Sequence, residues 1–181
     1  DLDIQSFHTI CSSYGVFLKE ERFSSEFFKN IQGYNRLLLS KEFYERFREY
    51  DYMLIYQLDA YVFEDKLEEW CSLGYDYVGA PIIGRYEENE YRPSMPMRVG
   101  NGGFSLRKIG KCLEFFSSRK NVFSSNEIIT RIGFLGKPYT RVFVWLLMLL
   151  GWRNKPQSVA KHWRYNEDDF WSGYLDGSNY E

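Results

Sequence analysis

Asp59 closes a largely apolar run, Tyr52-Met53-Leu54-Ile55-Tyr56-Gln57-Leu58. In open α/β sheets ligands collect beyond the carboxyl ends of the strands. A carboxylate at such a rim stays partly solvated and can hold magnesium or manganese, sharing the ion with substrate phosphates. An Asp there also serves as a turn or helix-cap residue, because a helix begins a few residues later. A second cluster is Gly100-Asn101-Gly102-Gly103. Three glycines in four residues admit positive φ and let backbone approach a ligand closely. Their spacing is not that of a dinucleotide fingerprint, and an ordinary tight turn uses the same residues. The third is Glu167-Asp168-Asp169, followed by Phe170-Trp171. Adjacent carboxylates raise one another's pKa when partly buried, which suits one of them to general-base work. The aromatic pair could wall a sugar, while a solvated acidic turn or a helix start gives the same pattern.

Weaker signals lie elsewhere. Tyr34-Asn35-Arg36 places polar groups at a helix start, where phosphate can bind, although surface and capping residues look the same. His8 and His162 are isolated and carry no metal-ligand spacing. Val142–Leu150 is strongly apolar but too short to span a bilayer. Its basic flanks (Lys137, Arg141, Arg153, Lys155, Lys161 and Arg164) leave an interfacial contact open beside a buried helix.

These residues need elements to position them. Val16-Phe17-Leu18 reads as a short strand. Ser24-Ser25 offers N-cap oxygens to a helix through Phe27, Phe28 and Ile31 that Gly33 interrupts, and Tyr34 to Phe47 reads as helical. The run from Asp51 to Leu58 reads as a strand covered on both faces. A helix from Glu64 to Leu73 follows, closed by Gly74, and then a strand from Tyr75 to Pro81. Strand, helix and strand at this spacing predict a crossover unit of a mostly parallel sheet. The polar, acidic stretch from Ile83 to Arg98 reads as a long loop. Val99 to Leu106 precedes a helix with Ile109, Cys112, Leu113 and Phe116 on one face. Ser124 with Glu127 matches a capping box.

The chain has 181 residues, enough for one domain with a real core. With 23 basic and 25 acidic residues the formal net charge is −2, which gives no basic surface for nucleic acid. Aromatic residues make up 19%, a bias that fills a core and also suits sugars and nucleobases. Cys11, Cys71 and Cys112 are odd in number and widely spaced, as expected of reduced core thiols in a cytoplasmic protein. The sequence starts at Asp1 without a signal-peptide pattern and stops just after the acidic aromatic cluster, so it reads as part of a single domain cut at both ends.

The blocks Gly33-Tyr34-Asn35-Arg36-Leu37-Leu38-Leu39-Ser40, Tyr56 to Phe63, Gly74 to Pro81, Val99 to Arg107 and Asn166-Glu167-Asp168 occur in this order. From about Phe23 to Trp171 this resembles a bacterial domain family of unknown function described as glycosyltransferase-like. The stretch from Arg131 to Lys155 fits that resemblance least and reads as an insertion. The resemblance implies a GT-A-like (Rossmann-like), mostly parallel sheet flanked by helices. It also implies transfer of a sugar from a nucleotide-diphosphate donor to a glycan or other hydroxyl acceptor, in bacterial surface polysaccharide synthesis. In that family fold a strand-end Asp-x-Asp motif binds manganese or magnesium. Asp59 matches the first Asp, and Tyr61 stands where the second is expected.

By the same resemblance Asp59, as metal ligand, and Tyr61 form the donor side, to which the helix-start residues Tyr34, Asn35 and Arg36 are added as phosphate-binding groups. Asn101, Gly102, Gly103 and Phe104 resemble the acceptor side, with Trp171 added as an aromatic wall. Asp168, supported by Glu167, is the base of an inverting transfer. Departures are Tyr61, the shortage of chain before Val16 for an opening strand, and metal ligands expected beyond Glu181. Two other readings compete: a sugar- or nucleotide-binding module without turnover, and a membrane-peripheral scaffold built on Val142–Leu150.

Overall fold

The structure, a computed structural model, describes residues 4–82, 85–87, 90–92, 98–123, 142, 145–147, 150, 154–163 and 165–175. The candidate residues hang on a three-stranded sheet of β1 (Tyr52–Tyr56), β2 (Tyr77–Ile82) and β5 (Arg98–Lys108), in the order β1-β5-β2. Both pairings are antiparallel, with Tyr56 opposite Phe104 and Leu54 opposite Leu106 on one side, and Val78 opposite Leu106 on the other. Two short strands, β3 (Arg85–Glu87) and β4 (Glu90–Arg92), form a separate antiparallel pair within the stretch read as a loop.

This corrects the expected Rossmann-like, mostly parallel sheet. β1 and β2 do have the crossover spacing, and α4 (Leu67–Ser72) does lie between them. They are not neighbours, however. The long β5 enters between them and runs against both, so no parallel ladder forms among the described residues. Strand spacing reports the length of a connection and not the direction of the strand that fills the gap. Residues 16–24 form neither helix nor strand, so the expected strand at Val16-Phe17-Leu18 is absent.

Alternation splits the sheet into two faces. Met53, Ile55 and Tyr77 pack on the hydrophobic core, whereas Leu54, Val78, Phe104 and Leu106 face a cavity on the other side. Helices cover the core face. α1 (Ile4–Ser13) contributes no buried residue. A 3-10 turn (Ser25–Phe28) leads to α2 (Ile31–Leu38), capped by Asn30 Oδ1, which accepts the Gly33 N–H at 2.8 Å. Gly33 thus sits inside α2 and does not interrupt it. A Cβ there would lie 2.7 Å from the Phe27 carbonyl oxygen, so glycine lets the two turns touch. The helix expected from Tyr34 to Phe47 breaks at Ser40, whose hydroxyl accepts the Phe43 N–H and caps α3 (Lys41–Arg46).

After β5 come α5 (Ile109–Ser117), α6 (Pro156–Lys161) and α7 (Glu167–Leu175). α5 follows the periodicity of Ile109, Cys112 and Phe116, all buried. Trp171 is fully buried at the centre, with its ring edge-on to Tyr44, Phe115 and Phe116 at 5.4–5.7 Å. Its indole N–H donates to the Leu38 carbonyl at 3.1 Å, which ties α7 to α2.

Burial in this core pushes the Cys112 thiol up to about 12. At pH 8 roughly one such thiol in 10,000 is ionised, and the thiolate is the reactive form. Cys11 and Cys71, also expected in the core, are instead partly exposed. Excess iodoacetamide should therefore add two groups to the folded chain by intact mass, and a third only after denaturation.

Candidate functional site

The glycines of β5 are spaced for close contact. Gly102 is buried, and its N–H donates to Asp168 Oδ2 at 3.1 Å. A Cβ on Gly102 would run into Glu167 Oε1. A Cβ on Gly103 would lie 2.6 Å from Gln57 Oε1, and one on Gly100, at φ +144°, 2.7 Å from the Ser172 hydroxyl. The first two turns of α7 and the residue after β1 thus press directly onto bare backbone. Asn101 adds a local clasp, accepting the Gly103 N–H at 3.0 Å.

Below this contact lies Arg107, fully buried on the core face of β5. Its Nη2 donates to Glu167 Oε1 at 2.9 Å and its Nη1 to the Tyr44 hydroxyl at 3.0 Å, while Nε donates to Ser105 Oγ at 3.1 Å. Nη1 also lies 2.8 Å from Glu167 Oε2 as an ion pair. That approach is off the hydrogen-bond line, and Oε2 accepts no hydrogen bond among the described residues. Burial alone would lower the Arg107 guanidinium, but Tyr44 and Glu167 beside it hold it above its ordinary value. Burial pushes the Glu167 carboxyl above its ordinary value, against the pull of Arg107. Glu167 is thus an anchor for α7, with both oxygens facing a guanidinium.

Asp168 differs. It is only partly buried; besides Gly102 N–H on Oδ2, its Oδ1 accepts the Asp169 N–H at 2.8 Å. A carboxylate has about four acceptor positions, so lone pairs remain for a ligand. At the end of β1 the Gln57 N–H donates to the Gly103 carbonyl at 2.8 Å, extending the ladder by one residue toward Asp59. The turn closes with Ala60 N–H on Gln57 O and the Tyr56 hydroxyl on Ala60 O. Asp59 is exposed on this turn. Tyr61, 75% exposed, sets its ring edge-on to Phe63 at 5.1 Å. Tyr61, Val62, Phe63, Trp70, Phe104 and Leu106 line a cavity of about 570 Å³ beside the turn.

A family model described as a protein of unknown function (DUF5672) matches residues 17–180. The chain belongs to this family. No curated protein and no solved structure matches it. The DUF5672 description carries no activity, so the chemistry of this family member has to be argued from its own residues.

The remaining expected site residues are scattered. Asn35 Nδ2 donates to Asn166 Oδ1 at 3.3 Å, which brings α2 to the start of α7. Tyr34 packs against the core. Arg36 lines a different cavity, between α2, α3 and α6. Trp171 is fully buried and offers no face to an acceptor. Of Val142–Leu150 only five residues are described; Val142, Trp145, Leu146 and Leu150 are exposed. Among the described residues no helix is long and apolar enough to cross a membrane. The capping box at Ser124 and Glu127 lies outside the described residues.

Arg107, Gln57 and Ser105 were not singled out from sequence. Arg107 and Ser105 alternate along β5 with Leu106 and Phe104, which lie on the opposite face, and that spacing is the signal that could have found them.

For a divalent cation, Asp59 supplies one carboxylate. No group of three or more His, Cys, Asp or Glu among the described residues could hold a metal alone. One carboxylate is enough for magnesium-type binding when substrate phosphates and water complete the shell, so Asp59 fits a cation that arrives with its substrate.

Proposed function

We propose that this chain carries the active cleft of a glycosyltransferase that uses a nucleotide-diphosphate sugar and a hydroxyl acceptor. What supports it most is the joining of two carboxylates at one end of the sheet. Gln57 N–H to Gly103 O leads to Asp59, and Gly102 N–H to Asp168 leads to the first turn of α7. The aromatic cavity that Tyr61, two residues beyond Asp59, helps to line offers a face for a sugar or base, and the resemblance of the sequence blocks points to the same chemistry.

In this reading Asp59 faces the donor diphosphate. A divalent cation bound there would neutralise charge on the leaving group. Asp168 takes the proton of the acceptor hydroxyl as its oxygen attacks the anomeric carbon. The bond from that carbon to the diphosphate oxygen breaks, and the diphosphate leaves with the electron pair. Glu167 holds the helix end and does not exchange protons with substrate. Free thiols at all three cysteines suit a cytoplasmic setting, with nucleotide sugar as partner.

Thermal shift with a panel of UDP- and GDP-sugars, with and without manganese, tests this. A donor at one hundred times its Kd should add about 2.7 kcal/mol, or about 5–10 °C. The gain should need manganese and vanish in Asp59→Asn. A panel without any stabilisation would sink the proposal. Tyr61, an aromatic where a second carboxylate is expected, favours a second reading, a sugar- or nucleotide-binding module. That reading predicts the same shift with no release of nucleoside diphosphate.

A further inference from the structure

We propose that the cavity between α2, α3, α5 and α6 is a second ligand site, which takes a phosphate monoester bearing a compact aryl or alkyl group. The cavity holds about 380 Å³ and shares no lining residue with the one beside Asp59. Its apolar floor is Phe27, Leu39 and Phe116, from three separate segments. Its polar rim carries Arg36 from α2, Lys41 from α3 and Lys161 from α6, and no acidic residue lines it.

Lys41 pairs with Glu45 at 3.0 Å. Among the described residues no carboxylate pairs with Arg36 or Lys161. Three cations set against one carboxylate leave about two positive charges in a chain whose net charge is −2. A phosphate monoester carries about −1.5 to −2 at neutral pH, which matches that excess where a singly charged carboxylate does not. The guanidinium of Arg36 offers a planar fork for two phosphate oxygens, and the lysines act as point charges. The floor then has room for a ring, since cavities from about 300 Å³ upward hold small molecules. The amide of Gln157 donates one N–H to the Phe116 carbonyl and carries no charge, so the charge recognition falls to the three cations.

Titration of the 181-residue chain with phenyl phosphate, followed by NMR or calorimetry, provides the test. Saturable binding is expected, at least about tenfold tighter than inorganic phosphate because the ring leaves water. The double variant Arg36→Gln/Lys161→Gln should bind at least about tenfold more weakly, with the fold retained because both side chains are exposed. Asp59→Ala should leave phenyl phosphate binding untouched. Flotation with phosphatidic acid vesicles that excess phenyl phosphate abolishes would assign the phosphate to a lipid headgroup. Absence of flotation, with phenyl phosphate still bound, would assign a free ester. The proposal is overturned by no saturable phenyl phosphate binding, by equal affinity for inorganic phosphate, or by unchanged affinity in the double variant.

Discussion

Replacing Glu167 with alanine is expected to lower the unfolding free energy by about 3–5 kcal/mol, read from urea denaturation. The cost comes from what is left behind. Arg107 is fully buried, and Glu167 is the carboxylate that faces it; Tyr44 and Ser105 can solvate a guanidinium but cannot neutralise it. Glu167→Gln should cost less, because the amide oxygen can still accept from Nη2. Gly102→Ala should resemble Glu167→Ala, since its new methyl group runs into Glu167 Oε1 and pushes the carboxylate off the guanidinium. The pH dependence tests the same pair. Burial holds the Glu167 carboxyl above its ordinary value of 4.5. Between 4.5 and that raised value the folded chain binds more protons than the unfolded one, so stability falls as pH rises. Wild type should therefore lose stability relative to Glu167→Gln as pH climbs from about 4.5, and the difference should level off once the folded value is passed. A flat difference over that range would show that the pull of Arg107 cancels the burial; a cost for Glu167→Ala within the ordinary surface range of about 0.5 kcal/mol would remove the anchoring role.

What could be read in the sequence followed from local rules. The apolar run that ends at Asp59 became β1, and the i, i+3, i+7 pattern of Ile109, Cys112 and Phe116 became α5. Gly74 closes α4 with a φ of +78°, as a C-terminal glycine should. What could not be read was non-local. The direction of β5 depends on which strands it meets, and nothing within Val99 to Leu106 states that. The glycines of that segment suggested room for a ligand; most of the room is taken by Glu167, Ser172 and Gln57 of the same chain. Glu167 and Asp168 are neighbours and both carboxylates, yet Glu167 turns inward to Arg107 and Asp168 outward along Gly102. Their difference arises from helix geometry, which separates consecutive side chains by about 100° around the axis. Trp171, expected to flank an acceptor, lies on the inward side of the same helix and fills the core.

That difference in facing underlies the second large effect. In Asp168→Asn, release of nucleoside diphosphate from a donor sugar is expected to fall about 10²–10⁴-fold, with the donor-induced thermal shift retained. Asp59→Asn should reverse the pattern and lose the shift itself. The two variants separate binding from proton transfer because the side chains belong to different elements and meet only through the backbone of Gly102 and Gly103. A purely structural role for Asp168 predicts something else. Its two N–H contacts, from Gly102 and Asp169, amount to a cap, and an asparagine there keeps one carbonyl oxygen for one of them. The loss would then be about 1 kcal/mol of stability, with turnover falling no further than donor binding does. A base role carries one more mark, since formate can fill the space left in Asp168→Ala and accept the proton in place of the side chain. Partial recovery of turnover by formate, at unchanged donor affinity, is the outcome expected of a base; a cap would regain melting temperature without regaining rate.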